Sequence, residues 1–81
     1  MRKLNPNEMA SADLYYSAYL QTAGVQMIRT EKDGGRVFFI FDTSIANIEE
    51  LKIAWINHTG KISAQPYANA IKALKSLVHM Q

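Results

Sequence analysis

The 81-residue chain contains no cysteine, only two prolines and only four glycines. Without cysteine it has no disulfides, iron–sulfur clusters or cysteine-based zinc sites, so it requires no oxidising compartment. The longest strictly apolar run, Val37 to Phe41, is far shorter than the roughly 20 residues of a membrane-spanning helix. No apolar segment of signal-peptide length follows the basic N-terminus. We therefore expect a cytoplasmic protein with no membrane association.

What is present is typical of a small folded chain. Hydrophobic residues make up 48% of the sequence and charged residues 20%, which argues against wholesale disorder. A chain of this length forms one hydrophobic core. We expect a flexible N-terminal arm over residues 1–10 and a single α+β domain over residues 11–81.

The middle of the chain predicts a β-hairpin. Val25 to Thr30 and Arg36 to Phe41 are rich in β-branched and aromatic residues, and they flank a polar segment that contains Asp33-Gly34. Glycine accepts a positive φ and aspartate tolerates the left-handed region, so this pair suits a tight turn. The two strands are expected to be antiparallel neighbours.

The last third of the chain predicts a helix from about Ala64 to His79, with Ser63 as its N-cap. Its apolar residues recur at helical spacing and form one stripe: Tyr67, Ala70, Ile71, Leu74, Leu77 and Val78. A preceding amphipathic helix is predicted from another such set: Ile45, Ile48, Leu51, Trp55 and Ile56. It would be entered through Thr43-Ser44 and end near residues 57–60.

Residues 14–23 are compatible with both a strand and a helix. Leu14, Tyr16, Ala18 and Leu20 alternate as in a strand, yet the tyrosines also gather on one helical side. A cap at Ser11 or Asp13 and the break at Gly24 favour the helix. The predicted order is then α-β-β-α-α, with the antiparallel hairpin packed on one face against the helices.

The stretch from roughly Ala12 to Val78 combines four features: the first helix, the Gly24 break, the segment Asp33-Gly34-Gly35-Arg36-Val37-Phe38-Phe39-Ile40-Phe41 and the closing Ala70-Ile71-Lys72-Ala73-Leu74-Lys75-Ser76-Leu77. With these features the sequence resembles a family of short prokaryotic and phage-associated domains of unknown function. The resemblance implies a compact intracellular domain, with a mobile element as an expected source. It assigns no functional residue.

Catalytic and metal-binding patterns have little support. His58 lies in a predicted loop, His79 lies near the C-terminus, and neither has a histidine or carboxylate at helical spacing to share a metal ion. Most carboxylates have local uses in caps, turns or ion pairs. We expect a non-enzymatic protein with no metal and no cofactor.

Charge is divided unevenly along the chain. Residues 1–50 carry 5 basic and 7 acidic side chains, a net of −2, whereas residues 51–81 carry 4 lysines and no acid, a net of +4. Lys72, Lys75 and His79 share one face of the last helix, and Lys52 and Lys61 could extend it. This face is either a solvated surface or a contact for nucleic-acid phosphates.

The hairpin carries apolar side chains on both faces. Phe38 and Ile40 point away from Val37, Phe39 and Phe41, and helices easily cover only one face of two strands. The N-terminal arm or a second copy could cover the other face.

These features lead to a first hypothesis, a small non-catalytic binding module. It would form a homodimer or dock on a larger protein through Phe38, Ile40, Tyr15 and Tyr19. A phage- or mobile-element-encoded accessory or inhibitor protein would fit this description. The alternative is a nucleic-acid-binding accessory protein that uses Lys52, Lys61, Lys72, Lys75 and His79.

Overall fold

The computed structural model describes residues 3–44 and 47–80. Within these ranges three strands and three helices follow in the order β1 (Glu8–Ser11), α1 (Leu14–Thr22), β2 (Met27–Asp33), β3 (Arg36–Asp42), α2 (Ile48–Ile56) and α3 (Ala64–Met80). The α+β class is confirmed, and the elements after β1 have the predicted order α-β-β-α-α.

The strands form one antiparallel sheet in the order β1-β3-β2, so β3 is the central strand. Because β1 and β2 are both antiparallel to β3, they run parallel to each other, and β1-α1-β2 is a split βαβ unit with β3 inserted. Both sides of β3 are already paired. Association by edge-to-edge pairing of this strand with a second copy is therefore excluded.

Strand β1 was not predicted. We assigned residues 1–10 to a flexible arm, but Glu8 pairs with Asp42 and Ala10 with Ile40 in the sheet. Residues 1 and 2 of that arm lie outside the described residues. The four residues of β1 include no β-branched or aromatic side chain, so local propensity carries no strand signal and pairing with β3 decides the conformation.

The hairpin between β2 and β3 closes with a two-residue loop. Gly34 and Gly35 have φ of 59° and 83°, and positive φ at both central residues is the pattern of a type I′ turn. A β-bulge between Met27 and Arg29 interrupts the register of β2. The first strand of the hairpin extends to Asp33, beyond the predicted end at Thr30.

Residues 14–22 are helical, which decides between the two conformations that the sequence left open. Asp13 caps α1, and its Oδ1 accepts hydrogen bonds from the backbone N–H groups of Tyr15 and Tyr16 at 3.0 and 3.1 Å. The chain turns at Gly24, as predicted, with a φ of 100°. Ala18 and Leu20 are fully buried.

The core lies between one face of the sheet and helices α1 and α3. Its buried side chains come from α1, the following loop, β3 and α3: Ala18, Tyr19, Leu20, Val25, Phe39, Phe41 and Leu74. Helix α2 lies at the periphery and has no buried residue. It begins after its cap, Asn47, rather than through Thr43-Ser44 as predicted, and Ile45 lies outside the described residues.

The second face of the sheet is crossed by ion pairs. Arg29 of β2 donates to both carboxylate oxygens of Glu8 on β1, at 3.0 and 3.1 Å, and to Glu31 at 2.6 Å. These bonds pass over β3 where Ile40 pairs with Arg29. Ile40 is fully buried although it lies outside the core cluster. This corrects the expectation that Ile40 forms part of an open surface.

Candidate functional site: an aromatic cleft beside helix α2

A cleft of about 530 Å³ opens between the end of α2 and the start of α3. Its lining comes from α1, α2, the connecting loop and α3: Tyr19, Ala54, Trp55, His58, Gly60, Ile62, Ala64 and Tyr67. We call this set the aromatic cleft. Its volume lies within the range of about 300–1,000 Å³ for small-ligand sites, and its walls are mainly apolar.

The rings of the cleft are fixed by their neighbours. Tyr19 Oη donates to the carbonyl of Leu51 at 3.2 Å, and Tyr67 Oη donates to the carbonyl of Tyr15 at 3.3 Å. The Tyr19 and Trp55 ring centroids lie 5.0 Å apart. With both hydroxyls engaged in intramolecular bonds, the tyrosines offer the cleft mainly their apolar ring surfaces.

The loop after α2 shapes one wall. The backbone N–H of Thr59 donates to Ala54 O at 2.8 Å and that of His58 to Trp55 O at 3.2 Å, the two bonds of a Schellman motif. His58 occupies the left-handed position, with φ of 60°, where glycine is the usual residue. The positive φ of His58 is thus part of the motif that ends α2.

Gly60 permits the close approach of this loop to Tyr19. A Cβ atom at Gly60 would lie 2.8 Å from both Cε1 and Oη of Tyr19, which is closer than van der Waals contact allows. The loop therefore rests directly on the buried tyrosine, and the cleft keeps its shape only with glycine at this position.

A second, more open cleft adjoins the aromatic cleft and shares Tyr19, Ala54 and Gly60 with it. Its further lining includes Asn47, Glu50 and Lys61, and we call it the polar cleft. Asn47 and Glu50 hydrogen-bond each other at 2.8 Å through their side chains. Tyr19, Ala54 and Gly60 therefore form a wall that the two clefts share.

The predicted protein-contact residues do not form one surface. Tyr19 is only 2% exposed and Ile40 is fully buried, so both contribute to the interior. Tyr15 is 52% exposed on α1, whereas Phe38 is partly buried on the sheet face that carries Arg29 and Glu31. Ile53 and Ile56 of α2, which were not predicted as contact residues, are 54% and 60% exposed.

The predicted basic residues divide into two groups. Lys75 and His79 line a hollow of about 280 Å³ that Arg36 also lines, and Lys72 lies one turn before Lys75 on α3. Lys61 instead lines the polar cleft with Glu50, and Lys52 lies on α2, where Glu49 and Glu50 form the first turn. Lys52 and Lys61 are both exposed.

Sequence reasoning missed the roles of several residues at these sites. Arg36 was treated as part of a hairpin and His58 as an ordinary loop histidine. The asparagine–histidine–threonine–glycine run after α2 is a helix-ending signal. The position of His58 within that run could have indicated its left-handed conformation, but not its place at a cleft.

The described part of the chain offers little for other classes of site. No group of three or more histidine, aspartate or glutamate side chains in residues 3–44 and 47–80 could hold a metal ion. The same residues include no helix that is long and apolar enough to cross a membrane.

Comparison with known proteins gives one result. Neither the curated proteins nor the solved structures include a significant match. Residues 7–80, nearly the whole chain, match a family described as a domain of unknown function, DUF5659. The chain therefore belongs to the DUF5659 family.

Proposed function

We propose that this domain is a non-catalytic module that binds a segment of a partner protein in the aromatic cleft. The observation that carries the proposal is the cleft itself, because its tyrosine and tryptophan rings are held in place by intramolecular contacts. A preformed apolar site loses little conformational freedom on binding.

The lining residues favour binding over catalysis. His58 is the one imidazole or carboxylate side chain among the residues that line the aromatic cleft. General acid–base chemistry usually needs such a group to be oriented by a second polar partner. Burial also raises the pKa of Tyr67 above its ordinary value of 10.0, so this phenol stays protonated at neutral pH.

We propose a peptide segment rather than a compact small molecule as the occupant. The aromatic cleft and the polar cleft adjoin at Tyr19, Ala54 and Gly60, so an extended chain that crosses this shared wall would contact both. An apolar anchor side chain would occupy the aromatic cleft, and the polar residues that follow it would meet Glu50 and Lys61. Buried aromatic contacts of this kind dominate many protein interfaces.

The setting of this function is also a proposal. We propose that the domain acts in the cytoplasm as an accessory or inhibitor protein of a phage or another mobile element. The genes that neighbour members of the family provide a direct check. Consistent placement among housekeeping genes would contradict this setting.

The binding proposal can be tested with random-peptide display followed by fluorescence. Trp55 is the one tryptophan of the chain and lines the cleft, so its emission reports occupancy. Peptides selected on the parent chain should carry an aromatic or aliphatic anchor and shift the Trp55 emission on titration.

A matched pair of variants locates the binding. Ala64 lines the cleft, whereas Ala73 is exposed on α3 away from its lining. Ala64→Leu should weaken binding of the selected peptides at least tenfold by filling the cleft, and Ala73→Leu should leave it unchanged. Equal affinity for both variants, or selection of no peptide at all, would contradict the proposal.

A further inference from the structure

The structure contains a further concave surface, which shares no lining residue with the two clefts described above. A hollow of about 280 Å³ lies between the start of α1, the start of β3 and the last turns of α3. Its lining residues are Ala12, Leu14, Arg36, Val37, Phe39, Lys75, Val78 and His79. We call it the basic hollow, because three of its side chains are basic and none is acidic.

The basic side chains continue along α3. At 1.5 Å per residue, Lys72 and Lys75 lie about 4.5 Å apart along the helix axis, and Lys75 and His79 about 6 Å apart. All three share one exposed face of the helix. Arg36 adds a guanidinium from the start of β3 at the same end. The result is a row of basic side chains along one face of α3.

Two carboxylates lie near the basic hollow, and neither is on α3. Among the described residues around the hollow, Asp13 lies between Ala12 and Leu14, and its Oδ1 is engaged by two backbone N–H groups of α1. Asp33 lies opposite Arg36 in the hairpin register. Helix α3 itself contains no acidic residue. The formal charge of α3 is therefore positive, which favours polyanions at this surface.

We infer that this surface binds single-stranded nucleic acid, with phosphates along Lys72, Lys75 and His79 and one unstacked base over the basic hollow. Successive phosphates of an extended strand are repeated anions that can each contact one of these basic side chains. The apolar floor formed by Leu14, Val37 and Val78 suits the face of a base.

The chemistry of the side chains sets the specificity. Lysine acts as a point charge toward phosphate and carries no fixed geometry for reading a base edge. Arg36 can contact a phosphate or stack on the unpaired base. Binding is therefore led by phosphates, tolerant of sequence and selective for single strands, since a duplex keeps its bases stacked inside.

The test is a fluorescence-anisotropy titration with a labelled oligo-dT of about 15 nucleotides, a length comparable to single-strand sites of small domains. At roughly 50 mM salt the parent should bind, and log K plotted against log salt should have a slope of about −2 to −3 for three to four phosphates. A duplex of equal length should bind at least fivefold more weakly.

Charge-reversal variants with equal net charge locate the site. Lys72→Glu with Lys75→Glu should abolish oligo-dT binding. Lys52→Glu with Lys61→Glu makes the same change in net charge on α2 and in the polar cleft, and it should change the affinity for oligo-dT less than threefold. Arg36→Ala should weaken binding of the single strand more than that of the duplex. Circular dichroism melts of each variant verify that it is folded.

Several results would overturn the inference. They are the absence of parent binding at low salt, equal losses in the two double variants, duplex binding as tight as single-strand binding, and full competition by poly-glutamate at equal charge. The last of these would assign the surface to an acidic protein. Ala64→Leu, which fills the aromatic cleft, should leave oligo-dT binding unchanged, so the two proposals fail independently.

Discussion

Arg29 reaches from one edge strand across the central strand to hold Glu8 on the other edge. Two parallel hydrogen bonds of 3.0 and 3.1 Å join the guanidinium to the carboxylate, whose side chain is only 7% exposed. Glu31 engages the remaining Nε at 2.6 Å. Paired and hydrogen-bonded charges can remain at a partly buried site. These ion pairs fasten the short strand β1 to the hairpin.

The first prediction concerns the pH dependence of stability. Hydrogen bonds from Arg29, and secondly from the Asn5 backbone, hold the pKa of Glu8 below its ordinary value of 4.5. A carboxylate with a lowered folded pKa stabilises the fold above its unfolded pKa, and this contribution is lost as the pH falls through the folded pKa. Glu8→Gln should lower the melting temperature at neutral pH, and the difference from the parent should shrink below about pH 4.5.

Thermal melts followed by circular dichroism across this range check that expectation. Arg29→Gln provides the matched background, because it removes the main cause of the lowered pKa. In that background Glu8→Gln should alter the pH dependence much less. A difference in melting temperature that stays constant with pH would show that the ion pair does not titrate as described.

The second prediction replaces the idea that Ile40 is a contact residue. Ile40 is fully buried beneath the Arg29 side chain, whereas Ile28, on the neighbouring strand, is 43% exposed. Ile40→Glu would bury a carboxylate near Glu8 and Glu31 and should cost more than about 3 kcal/mol. Ile28→Glu makes the same chemical change at an exposed position and should cost much less. Similar losses in urea denaturation would contradict the assignment.

The third prediction concerns the contact between Gly60 and Tyr19. A methyl group at Gly60 would meet Cε1 and Oη of Tyr19 at 2.8 Å, and the ring cannot easily move because it is buried and bonded to Leu51. Gly60→Ala should therefore cost about 1–3 kcal/mol. Tyr19→Leu removes the obstructing atoms, so the cost of Gly60→Ala should fall in that background. An unchanged cost would exclude this contact as the cause.

Local patterns predicted most of the elements. The bounds predicted for helix α3 were accurate to one residue because its apolar stripe is regular. Leu74, at the centre of that stripe, is fully buried, as a core position requires. Strand β1 escaped prediction because its pairing with β3 is a long-range interaction. The alternation along β3 correctly placed Ile40 away from the core cluster, but its burial depends on a side chain from another strand.

The candidate sites were less predictable than the fold. Lys75 and His79 were recognised as one face because helical spacing fixes their relation. Their proximity to Arg36, and the separation of Lys61 from them, depend on how α3 packs against the hairpin. The aromatic cleft likewise combines Tyr19 and Tyr67, which are far apart in sequence. Hydrophobic periodicity, which is 2 residues in a strand and 3.6 in a helix, does not indicate which residues that are distant in sequence become neighbours in the fold.

The fourth prediction concerns self-association through α2. Ile53 and Ile56 lie one helical turn apart and are 54% and 60% exposed, so they form a small apolar patch on a helix that has no buried residue. Stable dimers usually bury about 800 Å² per partner, and two isoleucines on a nine-residue helix provide only part of that area. We therefore expect a weak homodimer, visible by light scattering at tens of micromolar and reversed by dilution.

Two variants test whether this patch is responsible. Ile53→Gln together with Ile56→Gln keeps the net charge and should shift the chain to a monomer without lowering its melting temperature by more than a few degrees, because both side chains are largely exposed. Ile28→Gln alters a similarly exposed isoleucine on β2 and should leave the dimer intact. A parent chain that stays monomeric, or a double variant that dimerises like the parent, would remove α2 as the self-association surface.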